Sequence, residues 1–335
     1  HLSSALDYAE DTGGGLVPVP LTNAVTRVAE LRGESFGNIV ARVSSTVSLE
    51  GGVAVELSRL RAGIDRVTTQ RLLFVKPSAA LVWTPSDQAQ VRVAMRRTVD
   101  QLDFGDFAAS VNQADGRPLG GNSSLRPARI TRGLVRVDRR WGQGGAAAVE
   151  AWHQWHRGQF GYLRLPSGDE ALATIGDARV LGLTSTLAVP FEPWLPGARL
   201  LVEGTLRRSR ITDPLTLQPR LVDDTAPRLL SAEFRHDLPR LRSSWGLRGR
   251  LAERLQTTYT REIMVETFGR AWGAYLETTA IRGFKLTVNA DAIGGRDSHR
   301  LRQFFTPSRI GVPAGTDVRQ MHEGAVVSVT LSRPL

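Results

Sequence analysis

The sequence predicts an all-β fold: an antiparallel up-and-down transmembrane β-barrel with about fourteen strands. Three observations predict it. Apolar and polar residues alternate with period two in run after run, no long amphipathic helix interrupts the runs, and short and long connections alternate along the chain. Successive strand side chains point to opposite faces, so every such run carries one apolar and one polar face.

The runs can be taken in order. "NIVARVSSTVSL" puts Ile39, Ala41, Val43 and Val47 opposite Arg42, Ser44, Thr46 and Ser48. "VAVELSRL" sets Val53, Val55 and Leu57 against Glu56 and Ser58, and "GLVRVDRRW" sets Val135 and Val137 against Arg136 and Asp138. "RLLVEGTLRR" sets Leu200, Val202 and Leu206 against Glu203, Thr205 and Arg207. "LLSAEFRH" sets Leu230, Ala232 and Phe234 against Ser231, Glu233 and Arg235. "SWGLRGRLA" sets Trp245, Leu247 and Leu251 against Arg248 and Arg250. "FKLTVNAD" sets Phe284, Leu286 and Val288 against Lys285, Thr287 and Asn289, and "AVVSVTLS" sets Val327, Val329 and Leu331 against Ser328 and Thr330.

Short turns are expected at "LEGG" (from Leu49), "TPSD" (from Thr84), "GQGG" (from Gly142), "LPRLRS" (from Leu238) and "AIRG" (from Ala280), with a longer Pro-rich one at "VPFEPWLPG" (from Val189). Long loops are expected over 62–70, 99–129, 157–177, 210–227, 256–269 and 293–324. An up-and-down barrel then has its short turns at one end and its long loops at the other, the asymmetry of bacterial outer-membrane barrels. A soluble sandwich has no reason to sort its loops by length.

Closing such a sheet puts the charged face round a wet lumen and the Val/Leu/Ala face against lipid. The expected lumen-facing residues are Arg42, Glu56, Arg92, Arg96, Arg136, Glu203, Arg207, Glu233, Arg235, Arg248, Arg250 and Lys285. Trp141, Trp152, Trp155, Trp194, Trp245 and Trp272 fall near expected strand ends, as interfacial girdles would.

Composition narrows the function. The 335 residues hold no cysteine, which removes disulfides, thiol catalysis and thiolate metal sites. No window approaches the ~18–20 apolar residues of a membrane helix. The first residue is His1 with no basic-then-apolar leader before it, so a signal has been removed or the chain starts inside a longer protein. Residues 1–24 read as a flexible lead-in and 25–335 as the barrel domain. The net charge of +10 suggests a polyanion partner, yet Lys occurs only at Lys76 and Lys285 and the Arg residues are spread strand by strand. Lumen lining requires that distribution. Nucleic-acid binding would want clustered base interleaved with aromatics.

Several stretches resemble the barrel of TonB-dependent outer-membrane receptors. "TVDQLDFGDFAAS" (98–110) is followed by "GNSSLRPARI" (121–130), where Gly121, Asn122, Leu125 and Pro127 match a family loop motif commonly reading Gly-Asn-Pro-x-Leu-x-Pro-Glu. Ser123 and Ala128 stand where that motif has Pro and Glu. "TIGDARVLGLTSTLAVP" (174–190), "RRSRITDPLTLQPR" (207–220), "FRHDLPRLRSSWG" (234–246) and "VNADAIGGRDSHRLRQFF" (288–305) are similar to later parts of the barrel. A receptor of that family has about twenty-two strands preceded by a plug domain. The resemblance therefore implies a partial barrel, its C-terminal portion without the plug. The chain ends in Leu335, where the family usually ends in an aromatic residue.

The resemblance implies active uptake of a scarce small ligand of the siderophore, cobalamin or glycan class through the bacterial outer membrane. Outer-membrane lipid and that ligand would be its partners, and TonB would act only through the plug. No enzymatic activity, cofactor or nucleic-acid partner is expected. The rival readings are a passive anion-favouring pore and, further off, a polyanion-binding β protein. His153 and His156 in "WHQWH" would share a helix face and could bind metal, but on a strand they point apart. The acids of "GDE" (168–170), "VDD" (222–224) and "GGRD" (294–297) read as solvated loop residues, and "GGG" (13–15) as a linker.

Overall fold

The computed structural model describes residues 1–11, 15–64, 67–112, 117–192, 194–281 and 283–333. Gly13, Gly14 and the terminal Leu335 lie outside them. The N-terminal segment contains β1 (Leu2–Ala5), β2 (Ala9–Asp11) and β3 (Leu16–Pro18). The wall of the sheet begins with β4 (Val25–Arg42), β5 (Val47–Ala62), β6 (Thr68–Ser86) and β7 (Ala89–Val99). After a 3-10 turn, Phe104–Phe107, come the short β8 (Ser110–Asn112) and β9 (Arg117–Leu119). The wall resumes with β10 (Arg129–Trp141), β11 (Gly145–Arg164), β12 (Glu170–Pro190) and β13 (Ala198–Thr212). Then follow β14 (Pro219–Arg220), β15 (Arg228–Leu238), β16 (Ser243–Arg250), β17 (Glu253–Thr258), β18 (Glu262–Phe268) and β19 (Ala271–Thr278). The last are β20 (Lys285–Asp291), β21 (Arg296–Thr306), β22 (Val312–Glu323) and β23 (Val326–Ser332).

One antiparallel sheet runs β1-β4-β5-β6-β7-β10-β11-β12-β13-β15-β16-β19-β20-β23, fourteen strands each paired to its neighbour in the order of the chain. This is the wall of an up-and-down outer-membrane-type barrel, present in part. Among the described residues the edge strands β1 and β23 are not paired with each other. β1 covers only the start of β4, through Leu2↔Val28 to Ala5↔Val25, and residues 29–42 have no partner on that side among the described residues. The lead-in thus contributes an edge strand, and Leu2 packs on the apolar cluster of Val28, Leu60, Ala62, Phe107 and Leu125.

Burial across this sheet is the reverse of a soluble protein's. On β5 and β6, Glu56 is 6% exposed and Gln70 8%, whereas Leu57 is 61% and Leu73 63% exposed. On β5 and β6 the face that carries Glu56 and Gln70 is covered and the Leu/Val face is bare, while β4 beyond Ala29 and β23 are exposed on both faces. A soluble monomer seldom exposes an apolar patch beyond a few hundred Å². We call the covered face inner and the bare one outer.

The structure corrects several expectations about connections. "LEGG" is not a turn: residues 49–52 lie within β5, and the chain reverses at 43–46, where Val43 N–H donates to Val47 O at 2.9 Å. The glycine there serves close approach, since a Cβ on Gly52 would meet Asn38 and lie 2.9 Å from Ser78 Oγ. The expected loop 157–177 is mostly strand, with β11 and β12 turning only at 165–169. Register shifts beside His156 and Gln159, with positive φ at Gly158 (77°) and Gly176 (130°), flip the side-chain parity there. That flip erases the alternation a sequence reading depends on. The expected loops 256–269 and 293–324 hold β17, β18, β21 and β22, which form a separate four-stranded sheet in the order β17-β18-β21-β22. Charged residues and apolar ones are mixed on the faces of these strands, so they do not read as membrane strands.

The tryptophans are also redistributed. Trp141 ends β10 and Trp194 lies in a turn, both exposed near the short-turn end, where Trp83 joins them. Trp152 is instead buried at mid-strand on the inner face, with the Arg132 guanidinium 4.4 Å over its ring. Trp155 also sits well inside its strand, whereas Trp245 and Trp272 fall within the first three residues of theirs, as expected.

Candidate ligand-binding interior and roof

Directly opposed residues of an antiparallel pair share a face. Following the register from β4 to β23 therefore places all twelve expected lumen residues on one face, the inner one. They do not form a single cluster. Glu56 lies beneath Lys76, whose Nζ is 2.8 Å from Glu56 Oε2 and also bonds Glu34. Arg92 pairs with Glu50 at 2.6 Å and Arg136 with Asp138 at 2.8 Å. Glu233, Arg235 and Arg248 gather round Tyr275: its hydroxyl donates to Glu233 at 2.7 Å, and the two guanidiniums lie 5.8 and 5.7 Å from its ring. Lys285 meets Glu277 at 3.2 Å, and Arg248 meets Asp291 at 3.3 Å. Arg42, Arg96, Glu203, Arg207 and Arg250 form no ion pair among the described residues. The sequence reading missed the partners Glu50, Lys76, Arg132, Glu150 and Glu277. Strand parity alone would have supplied them.

At the long-loop end the inner face is roofed. The motif residues fasten the 99–129 loop into it. A Cβ on Gly121 would overlap the Phe107 carbonyl, and the Gly121 N–H donates to Thr22 O at 2.7 Å. The Asn122 carboxamide donates to Leu172 O at 2.9 Å and accepts from Ser124 N–H at 3.0 Å. Leu125 is buried in the apolar cluster, and Gln70 Nε2 donates to its carbonyl at 2.8 Å. Pro127 lines a 380 Å³ cavity with Glu30, Arg32, Asp100 and Asp103. Burial raises the Asp100 carboxyl above its ordinary value, and burial together with Asp103 raises Asp106.

Arg117, on β9 within that loop, joins three segments. It bonds the buried Glu262 of β18, lies 3.4 Å from Glu170 at the β11–β12 tip, and stacks 3.6 Å over the Tyr259 ring. Tyr259 in turn packs on Tyr162, ring centroids 4.5 Å apart. Arg302 Nε holds Glu262 from the other side at 2.7 Å. Desolvation pushes the Glu262 carboxyl up, but Arg302 and Arg117 outweigh it and the carboxyl sits below the ordinary glutamate value. A second anchor is Asp213, which accepts from Arg220 and Arg309 at 2.8 Å each. Burial opposes its ionisation too. The Thr216 N–H and Arg309 prevail and lower it. None of this was legible beforehand, because these residues fall in stretches read as loops.

His153 and His156 lie on opposite faces, His153 against the Trp155 ring at 4.2 Å and His156 hydrogen-bonded to Gln159 at 2.8 Å. The loop acids are structural: Asp169 caps the Thr22 N–H at 2.7 Å, Asp224 accepts from Thr257 at 2.7 Å, and Asp297 pairs with His322 at 2.8 Å.

No protein-family model matches the sequence, and no curated protein is similar to it. Solved structures do match its fold. The FrpB iron transporter from Neisseria meningitidis superposes at 11% identity with a TM-score of 0.55, over 91% of this chain and 45% of FrpB. The ferric yersiniabactin uptake receptor FyuA from Yersinia pestis gives 11%, 0.59, 92% and 46%. The ferric-catecholate import receptor Fiu from E. coli K12 gives 10%, 0.60, 96% and 47%. The chain spans less than half the length of each. At these identities the likeness is one of fold, and the fold is that of part of a TonB-dependent receptor barrel.

Proposed function

We propose that this chain is the barrel part of an outer-membrane receptor that takes up a small ferric ligand of the siderophore class, with energy relayed by TonB through a plug domain. The carrying observation is the combination of a bare apolar outer face with a charged inner face roofed by interlocked loops. The first suits a lipid boundary. The second suits a wet passage whose outer end is held shut by loops until a ligand rearranges them. The solved structures that share the fold are an iron transporter and ferric-siderophore receptors, which supports the ligand class.

The deciding experiment measures accumulation of a radiolabelled ferric siderophore by cells with and without the gene, before and after an uncoupler. Gene-dependent uptake that stops with the uncoupler is expected. Gene-dependent permeation of small anions that continues without a proton gradient would establish the pore instead.

A further inference from the structure

Unpaired arginines are not confined to the inner face: the outer face carries a set that stand opposite one another across the sheet. At the long-loop end, just beyond the apolar zone, Arg59 lies opposite Arg71, Arg129 opposite Arg157, and Arg179 opposite Arg210. Like charges in directly opposed positions destabilise a sheet. None of the six forms an ion pair among the described residues, and Asp177 is the acid that lines the grooves they share. On three of the strands the change is immediate at the outer positions, Leu57 preceding Arg59, Leu73 following Arg71 and Leu181 following Arg179, while on β13 Arg208 stands between Arg210 and the apolar Leu206. Arg157, Arg179 and Arg210 share a groove of about 620 Å³ with Asp177 and Trp155, and a second of about 550 Å³ continues past Arg71 and Arg129.

We propose that this arginine belt binds the phosphate headgroups of anionic lipids in the outer leaflet. The acyl chains then lie along the bare Leu and Val surface beneath it. Adjacent strands stand ~4.8 Å apart, so an opposed arginine pair can grip one phosphate with charge-assisted forked hydrogen bonds. The phosphates supply the countercharge the sheet lacks, and the belt fixes the depth of the barrel. Near the interface an arginine is tolerated far better than at the midplane even before any such pairing. The inference rests on the outer face meeting lipid.

The test takes the protein from its host's membrane fraction and places it in nanodiscs of phosphatidylcholine, with or without phosphatidylglycerol. Native mass spectrometry counts the retained lipid. Phosphatidylglycerol should be retained in preference, falling about fivefold for each arginine removed in Arg157→Gln, Arg179→Gln and Arg210→Gln. The Arg→Lys variants should keep most of it, and Arg92→Gln on the inner face should leave it unchanged. Equal retention of the two lipids by the unaltered protein would overturn the proposal, whether or not any variant inserts. So would displacement by inorganic phosphate, which would mark a site for the free ion. Recovery of the protein from the soluble fraction would overturn the lipid-facing reading itself.

Discussion

Arg117 shows how much of the roof depends on single charges. Replacing it with alanine leaves Glu262 with Arg302 alone and removes the cover from Tyr259. Loss of a charge-assisted bond at such a buried carboxylate costs ~1.5–3 kcal/mol. The Arg117→Ala variant should therefore show faster hydrogen exchange in β18 and β21 and little change in β5 or β6. Acid should act on the same parts with two signs. Asp100 and Asp106 have raised values, so protonating them as pH falls toward the ordinary aspartate range favours the folded 99–129 loop. Glu262 and Asp213 have lowered values, so their contribution is complete above the ordinary 4.5 and 3.8 and is lost as pH falls through the depressed folded values. Exchange measured down an acid series should show the loop persisting while the Glu262 and Asp213 anchors give way. Of these residues only the motif positions Gly121, Asn122, Leu125 and Pro127 were legible in the sequence, and that through resemblance. Spacing says nothing of a buried charge whose partners lie up to 145 positions away, as Glu262 and Arg117 do.

For the strands, legibility follows the solvent. A wall strand such as β10 or β13 faces two different media, so its alternation is strong and its faces could be assigned residue by residue. The four-stranded roof sheet has no such contrast and read as loop. The bulge between β11 and β12 hid their upper halves by swapping parity part-way along. The face assignment has a direct test. Arginine at Val55, Val135, Val202 or Leu286 should cost ~2–4 kcal/mol of folding free energy near the bilayer midplane. Arginine at the inner-face positions Ser48 or Ser231 should cost much less. Refolding titrations into lipid vesicles measure both, and equal costs would refute the assignment.

For the molecule as a whole, the up-and-down order was legible because face polarity agrees with it along the wall strands, even though several expected loop lengths, 157–177 among them, proved wrong. What sequence could not give is how the loops meet over the interior, since that depends on contacts between segments far apart in the chain. The bare edge of β4 has a consequence for assembly. Along residues 29–42 alternate backbone N–H and C=O groups point away from β5 with no strand beside them among the described residues. In water they would be solvated, but in hydrocarbon each unpaired group costs several kcal/mol. The wall therefore cannot enter a bilayer edge-first and unaccompanied. A further strand must zip onto β4 before or during insertion, so the seam beside Leu31 and Phe36 would be the last part of the barrel to leave water.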